Sequence, residues 1–213
     1  MNAKQQVQTL QNIVSRKGSS KILTFSVPHV FKALHMLYKD QYVSRSAFCN
    51  HLHMGEGAVK TMIAHLKKES MVGSTKSGTF LTDKGRSFIK SLLEVISAEC
   101  EIKKCNITRG KFNHAVLLKR YAFATKSGME QRDYSILYGA SGATTLIYKD
   151  DRFVFPNETI DCLLDDKKTR DVLISNLCPE NGDMIIIATA DDQFVADIAA
   201  KNSALWTLAI HGK

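Results

Sequence analysis

Five basic side chains, Arg45, Lys60, Lys67, Lys68 and Lys76, stand between positions 44 and 76 among the small or hydroxyl-bearing Ser44, Gly55, Gly57 and Thr61. Cations, hydroxyls and approachable backbone N–H groups in one stretch are what a phosphate group needs. The run Gly55-Glu-Gly-Ala58 opens a helical pattern with no bulky side chain beyond Glu56, so the N–H groups of its first turn can come close to an anion. Lys60 and Thr61 fall one turn further in, where base edges or phosphates would be met, and Lys67 continues the basic outer face. Ser44 and Arg45 sit at the start of the preceding helical pattern, and Lys76 sits at a loop tip. Glu56 works against this chemistry locally, since its carboxylate repels a phosphate unless it accepts from a cytosine amino group. A basic helical face that is merely solvated is the plainer alternative.

The second half of the chain offers a different set. Glycines at 139 and 142 could bring backbone N–H groups to an anionic ligand, with Arg132 supplying charge, Asp133 beside it and Thr144 adding a hydroxyl. The same residues have simpler uses, because Gly139 is what a helix C-cap favours and Gly142 can start a strand tightly. Asp191 follows an apolar strand pattern and precedes a helical one, the place where α/β sheets take ligands, although an Asp there also serves as an N-cap. Cys49, His51 and His53 form a close Cys/His group, but it spans a helix end and a turn, and Cys100 and Cys105 lack zinc-knuckle spacing; no metal is expected. The sequence contains no GxSxG, phosphate loop, HExxH or strand-to-helix GxGxxG. A protein without catalysis or cofactor is the expectation; were the second half an enzyme, Arg132, Asp133 and Asp191 would be the groups to test.

The elements that must hold these residues can be read from periodicity. Val7, Leu10 and Val14 mark a leading helix over Lys4–Ser15, broken at Lys17-Gly-Ser-Ser. Ser26 caps a helix with Pro28 in its first turn, Ser44 caps a second over 45–51, and a third runs from Glu56 to about Glu69. Short strands at 71–72 and 79–81 follow, and Thr82 caps a helix reaching about Ala98. Residues 99–111 turn polar and read as a linker. Beyond it come a strand at 114–123, a helix at 130–138, a hairpin of 144–149 with 152–155, a helix at 167–176, a buried strand at 184–188 and a last helix at 193–208. Helix, helix, helix, hairpin, helix is the order of a winged helix-turn-helix, whose third helix enters the major groove while the hairpin, or wing, reaches the backbone.

Charge agrees with this division. Residues 1–98 hold 14 Lys/Arg against 5 Asp/Glu, and residues 99–213 hold 15 against 16, so the net charge of +8 belongs to the first half. Such asymmetry suits a polyanion, because Lys/Arg on phosphates release condensed counterions. No window approaches the roughly 18 consecutive apolar residues of a membrane span, and the start lacks a signal-peptide core. Five dispersed cysteines give no disulfide framework, so a soluble, cytoplasmic protein is expected.

The segment HLHMGEGAVKTMIAHLKKESMV, followed by SGTFLTDKG, resembles the winged-helix core of many prokaryotic regulators. With Gln131-Arg-Asp, Tyr138-Gly-Ala-Ser-Gly-Ala-Thr-Thr-Leu and Gly182-Asp-Met-Ile-Ile-Ile-Ala-Thr-Ala, the chain is similar to archaeal winged-helix regulators whose C-terminal part is a domain of unknown function. The resemblance spans most of 28–208 and implies architecture more than ligand. The expected protein is therefore α+β: a leading helix over 1–21 as a possible dimer contact, a winged helix-turn-helix over 22–98, a linker, and a small α/β domain with a mixed sheet over 112–213. Its expected partners are double-stranded DNA, a second copy of itself and a small effector, with no membrane. A protein-interaction adaptor built on the same basic face is the alternative.

Overall fold

The computed structural model describes residues 2–15 and 23–212, and its contacts separate two compact units, Met1–Leu92 and Leu93–Lys213. The break expected at Lys17-Gly-Ser-Ser lies outside the described residues.

In the first unit, α1 (Ala3–Val14) begins at Asn2, whose side chain accepts from the Gln5 N–H at 2.9 Å and so satisfies one donor of the first turn. Val7, Leu10 and Ile13 recur at helical spacing, are each at most 1% exposed, and pack against α2 (Val27–Lys39) and α4 (Glu56–Lys68). His65 on α4 presents Nδ1 to the Ile13 carbonyl at 2.7 Å, which makes Nδ1 the protonated nitrogen. The apolar face of the leading helix is thus used within its own chain. A dimer contact there would use the exposed face that carries Lys4, Gln5 and Gln8.

Between them α3 (Arg45–Leu52) is capped by Ser44, whose Oγ accepts from the Ala47 N–H at 3.1 Å. His53 ends it in the left-handed region at φ 50. The strands β1 (Val72–Thr75) and β2 (Gly78–Leu81) pair antiparallel around a two-residue tip, Lys76-Ser77, so both are longer than the sequence suggests. Val43 adds a bridge to Thr79 with both N–H···O bonds at 2.9 Å. Gly78, at φ 135, is needed there because a Cβ would lie 2.8 Å from the Val43 carbonyl oxygen. Thr82 accepts from the Gly85 N–H at 3.1 Å and starts α5 (Asp83–Leu93).

The second unit corrects the expected linker. Residues 96–102 form β3 (Ile96–Ile102), paired with β4 (Phe112–Leu118), so α5 stops at Leu93 and not at Ala98. Ile96, Ala98, Cys100 and Ile102 alternate with polar residues, a period of two that suits a half-covered edge strand. The sheet continues in the order β3-β4-β7-β5-β6, with β5 (Gly142–Lys149), β6 (Arg152–Val154) and β7 (Met184–Ala190). Every pairing is antiparallel, so the expected mixed sheet is not formed. Strands β4 and β5 do run in the same direction, but β7, last in sequence, inserts between them and pairs antiparallel to both.

Strand β7 is buried throughout, as its unbroken apolar run requires when both faces of a sheet are covered. On one face Leu173 and Leu177 of α7 (Lys167–Leu177) meet Ala115, Leu117, Leu146, Ile185 and Ile187. On the other, α8 (Gln193–His211) packs on β4 and β7 beside α6 (Met129–Ile136). Within this α+β fold, no described helix is long and apolar enough to cross a membrane.

Candidate nucleic-acid interface and a buried charge cluster

Helical spacing puts Lys60, Ile63, Ala64 and Lys67 on one face of α4. That face forms a wall of a groove of about 510 Å³, whose other walls are Ser44-Arg45 at the start of α3 and Ser74–Thr79 of the wing. Five of the eight residues expected to meet phosphate, Ser44, Arg45, Lys60, Lys67 and Lys76, therefore converge from three separate elements. None of the residues lining the groove is acidic. Among the described residues, Arg45, Lys60, Lys67 and Lys76 have no ion-pair partner within the chain. Unpaired cations on a concave wall focus a positive field outward.

Gly55, Gly57 and Thr61 are not part of that wall. Gly55 and Gly57 are exposed, and a Cβ at either would meet nothing within 4 Å, so the start of α4 is open to approach. The Thr61 hydroxyl donates to the Gly57 carbonyl at 2.9 Å, a bond within the helix.

The ligand residues expected in the second half are dispersed. Arg132 and Asp133 are exposed on α6 and lie 3.8 Å from one another. Thr144, which shares the sheet face of Leu146 and Tyr148, donates to the Ile107 carbonyl at 2.6 Å, whereas α6 covers the opposite face. Gly139 takes φ 84 after α6, as the plainer reading requires, and Gly142 opens β5. Asp191 is exposed, and it is Asp192 whose carboxylate accepts from the Val195 N–H at 3.0 Å and caps α8. None of the six lines the grooves described here.

A cluster that the sequence reading missed lies elsewhere in this unit. Glu99 on β3, His114 on β4, and Asp197 and Lys201 on α8 meet between the sheet and the helix. His114 Nε2 is 3.3 Å from both Glu99 Oε2 and Asp197 Oδ1, and the Lys201 ammonium bonds both carboxylates. Burial alone would raise the Glu99 carboxyl, but the Lys201 ammonium and the His114 hydrogen bond outweigh it and hold Glu99 well below its ordinary value. Burial would likewise lower Lys201, yet Asp197 and Glu99 hold it above its usual range. Glu99, His114 and Asp197 have metal-ligating atoms within 4.8 Å of one another. The Lys201 ammonium already supplies the cation those carboxylates need. The signal that could have revealed the cluster is Asp197 and Lys201, four residues apart on the apolar α8.

With the geometry in place, comparison with known proteins adds the following. Residues 109–208 match a domain of unknown function, DUF4443. A hypothetical protein from Pyrococcus horikoshii OT3 has a similar solved structure, with a TM-score of 0.70 at 24% identity over 86% of this chain and 93% of that one. This likeness concerns fold. No curated protein matches the chain.

Proposed function

We propose that this protein is a DNA-binding transcription regulator that lays α4 in the major groove of duplex DNA and sets the wing tip at Lys76 on the backbone. The observation that carries the reading is the groove between α4 and the wing, where Arg45, Lys60, Lys67 and Lys76 converge with no ion-pair partner among the described residues and no acidic residue in the groove lining. Four cations that repel one another in the free protein are stabilised by a polyanion, and phosphates along a duplex supply that charge. The open start of α4 at Gly55 and Gly57 suits close approach of its N–H groups to the backbone. The resemblance of the N-terminal half to prokaryotic winged-helix regulators supports the same reading. A homodimer would offer two such helices to half-sites about 34 Å apart, with the second unit responsible for pairing or for sensing an effector.

The test is binding to random-sequence duplex DNA across a salt series, followed by selection and sequencing of the bound fraction. Each phosphate contact removed should lower the slope of log K against log salt by about 0.9. Lys67→Ala and Lys76→Ala are expected to lose that amount each with little change in sequence preference. Lys60→Ala should do the same if Lys60 meets phosphate, and should change the selected motif if it reads a base. Wild-type binding without salt dependence, or unchanged slopes in all three variants, would overturn the reading.

A further inference from the structure

We propose that the groove where β3, β4 and the first two turns of α8 meet binds a small zwitterion of amino-acid size. The groove measures about 350 Å³, inside the range of small-molecule pockets. Its charged groups are of both signs: Lys103 and Lys111 bring ammonium groups and Glu101 a carboxylate, with Gln193 adding an amide at the start of α8. Among the described residues none of these three charges has an ion-pair partner. A simple anion would gain the lysines but meet Glu101, and a simple amine would gain Glu101 but meet the lysines. A molecule carrying a carboxylate and an ammonium satisfies both.

His114 lines the same groove, is only 8% exposed, and its Nδ1 is buried with no hydrogen-bond partner. Its Nε2 faces two carboxylate oxygens and so carries a proton toward them. The Glu101 carboxylate calls for a donor such as an ammonium, while Phe112, with the Lys111 ammonium 5.1 Å from its ring centroid, offers apolar surface to a short side chain. Strand β3 starts at Ile96, three residues after α5 ends at Leu93.

The experiment is isothermal titration of the full-length chain, without DNA, with each standard amino acid at millimolar concentration. The acid-only and amine-only analogue of each binder is titrated alongside. Saturable binding of at least one amino acid is expected, with both analogues weaker by about tenfold or more, the size of one lost charged contact. Glu101→Gln and the double variant Lys103→Gln/Lys111→Gln should weaken binding comparably while leaving the urea transition in place, since all three groups are exposed. No saturable heat from any amino acid, an acid-only analogue that binds as well as its parent, or binding indifferent to these variants would each overturn the proposal. The DNA salt series is run without amino acid, so failure of the pocket and failure of the regulator reading show in different titrations.

Discussion

Replacing Lys201 by Met keeps the buried aliphatic stem and removes only the ammonium. Lys201 is 1% exposed and bonds Glu99 and Asp197, themselves mostly or fully buried, so the change leaves two carboxylates facing one another without the ammonium between them. Breaking a buried pair by removing one side costs about 3–5 kcal/mol, because the charge left behind is no longer compensated. The second unit spans 121 residues, and at about 2.1 cal/mol/K of unfolding entropy per residue the loss corresponds to a fall in Tm of roughly 12–20 °C. Trp206 is the only tryptophan in the chain and lies on α8, so its fluorescence follows this unit. The companion variant Glu99→Gln/Asp197→Asn/Lys201→Met carries no stranded charge and should return to within about 1–2 kcal/mol of the wild type. If Lys201→Met alone melts within about 4 °C of the wild type, an effect near 1 kcal/mol, the cluster does not hold α8 to the sheet.

The same cluster sets a pH window. The Glu99 pKa lies below its ordinary 4.5 in the folded state, so its stabilisation is present above that pH and is lost as pH falls through the folded value. The Lys201 pKa lies above 10.5, so its share is complete below 10.5 and is lost as pH rises through the folded value. The urea midpoint read from Trp206 should therefore be level between these limits and decline outside them, and a midpoint unmoved at about pH 3 would contradict the assignment. In the first unit, Gly85→Ala should cost about 1–3 kcal/mol or more, because the added Cβ falls on the Met71 carbonyl oxygen, which is backbone and must shift. Gly57→Ala, with open space around it, should instead gain about 0.5–1 kcal/mol of helix stability, and circular dichroism melts that rank the two variants the other way would refute the packing described. Burial, aided by neighbouring carboxylates, pushes the Cys100 thiol to about 11 and the Cys162 thiol to about 12. Iodoacetamide at neutral pH should accordingly label the exposed Cys178 well before either, as peptide mass spectrometry would show.

What the residues alone determined is local. Period and capping chemistry are written within a few positions of one another, so Ser26, Ser44 and Thr82 marked helix starts, and the asymmetry of charge located the basic unit. The phosphate-type residues Ser44, Arg45, Lys60, Lys67 and Lys76 were legible as chemistry, though not as one groove, since that depends on the wing folding back toward α4 through the Val43 to Thr79 bridge. Only the tertiary structure decided the rest. Residues 99–102 look like a polar linker until β4 pairs with them, because an edge strand needs only one apolar face. Strand, helix, strand in sequence suggests parallel neighbours, and it was the insertion of β7 between β4 and β5 that made the sheet antiparallel. Glu99, His114 and Lys201 lie far apart along the chain and each is unremarkable alone. Their charges and their burial acquire meaning when the sheet and α8 close over them, since the strength of an ion pair depends on the solvent it has lost.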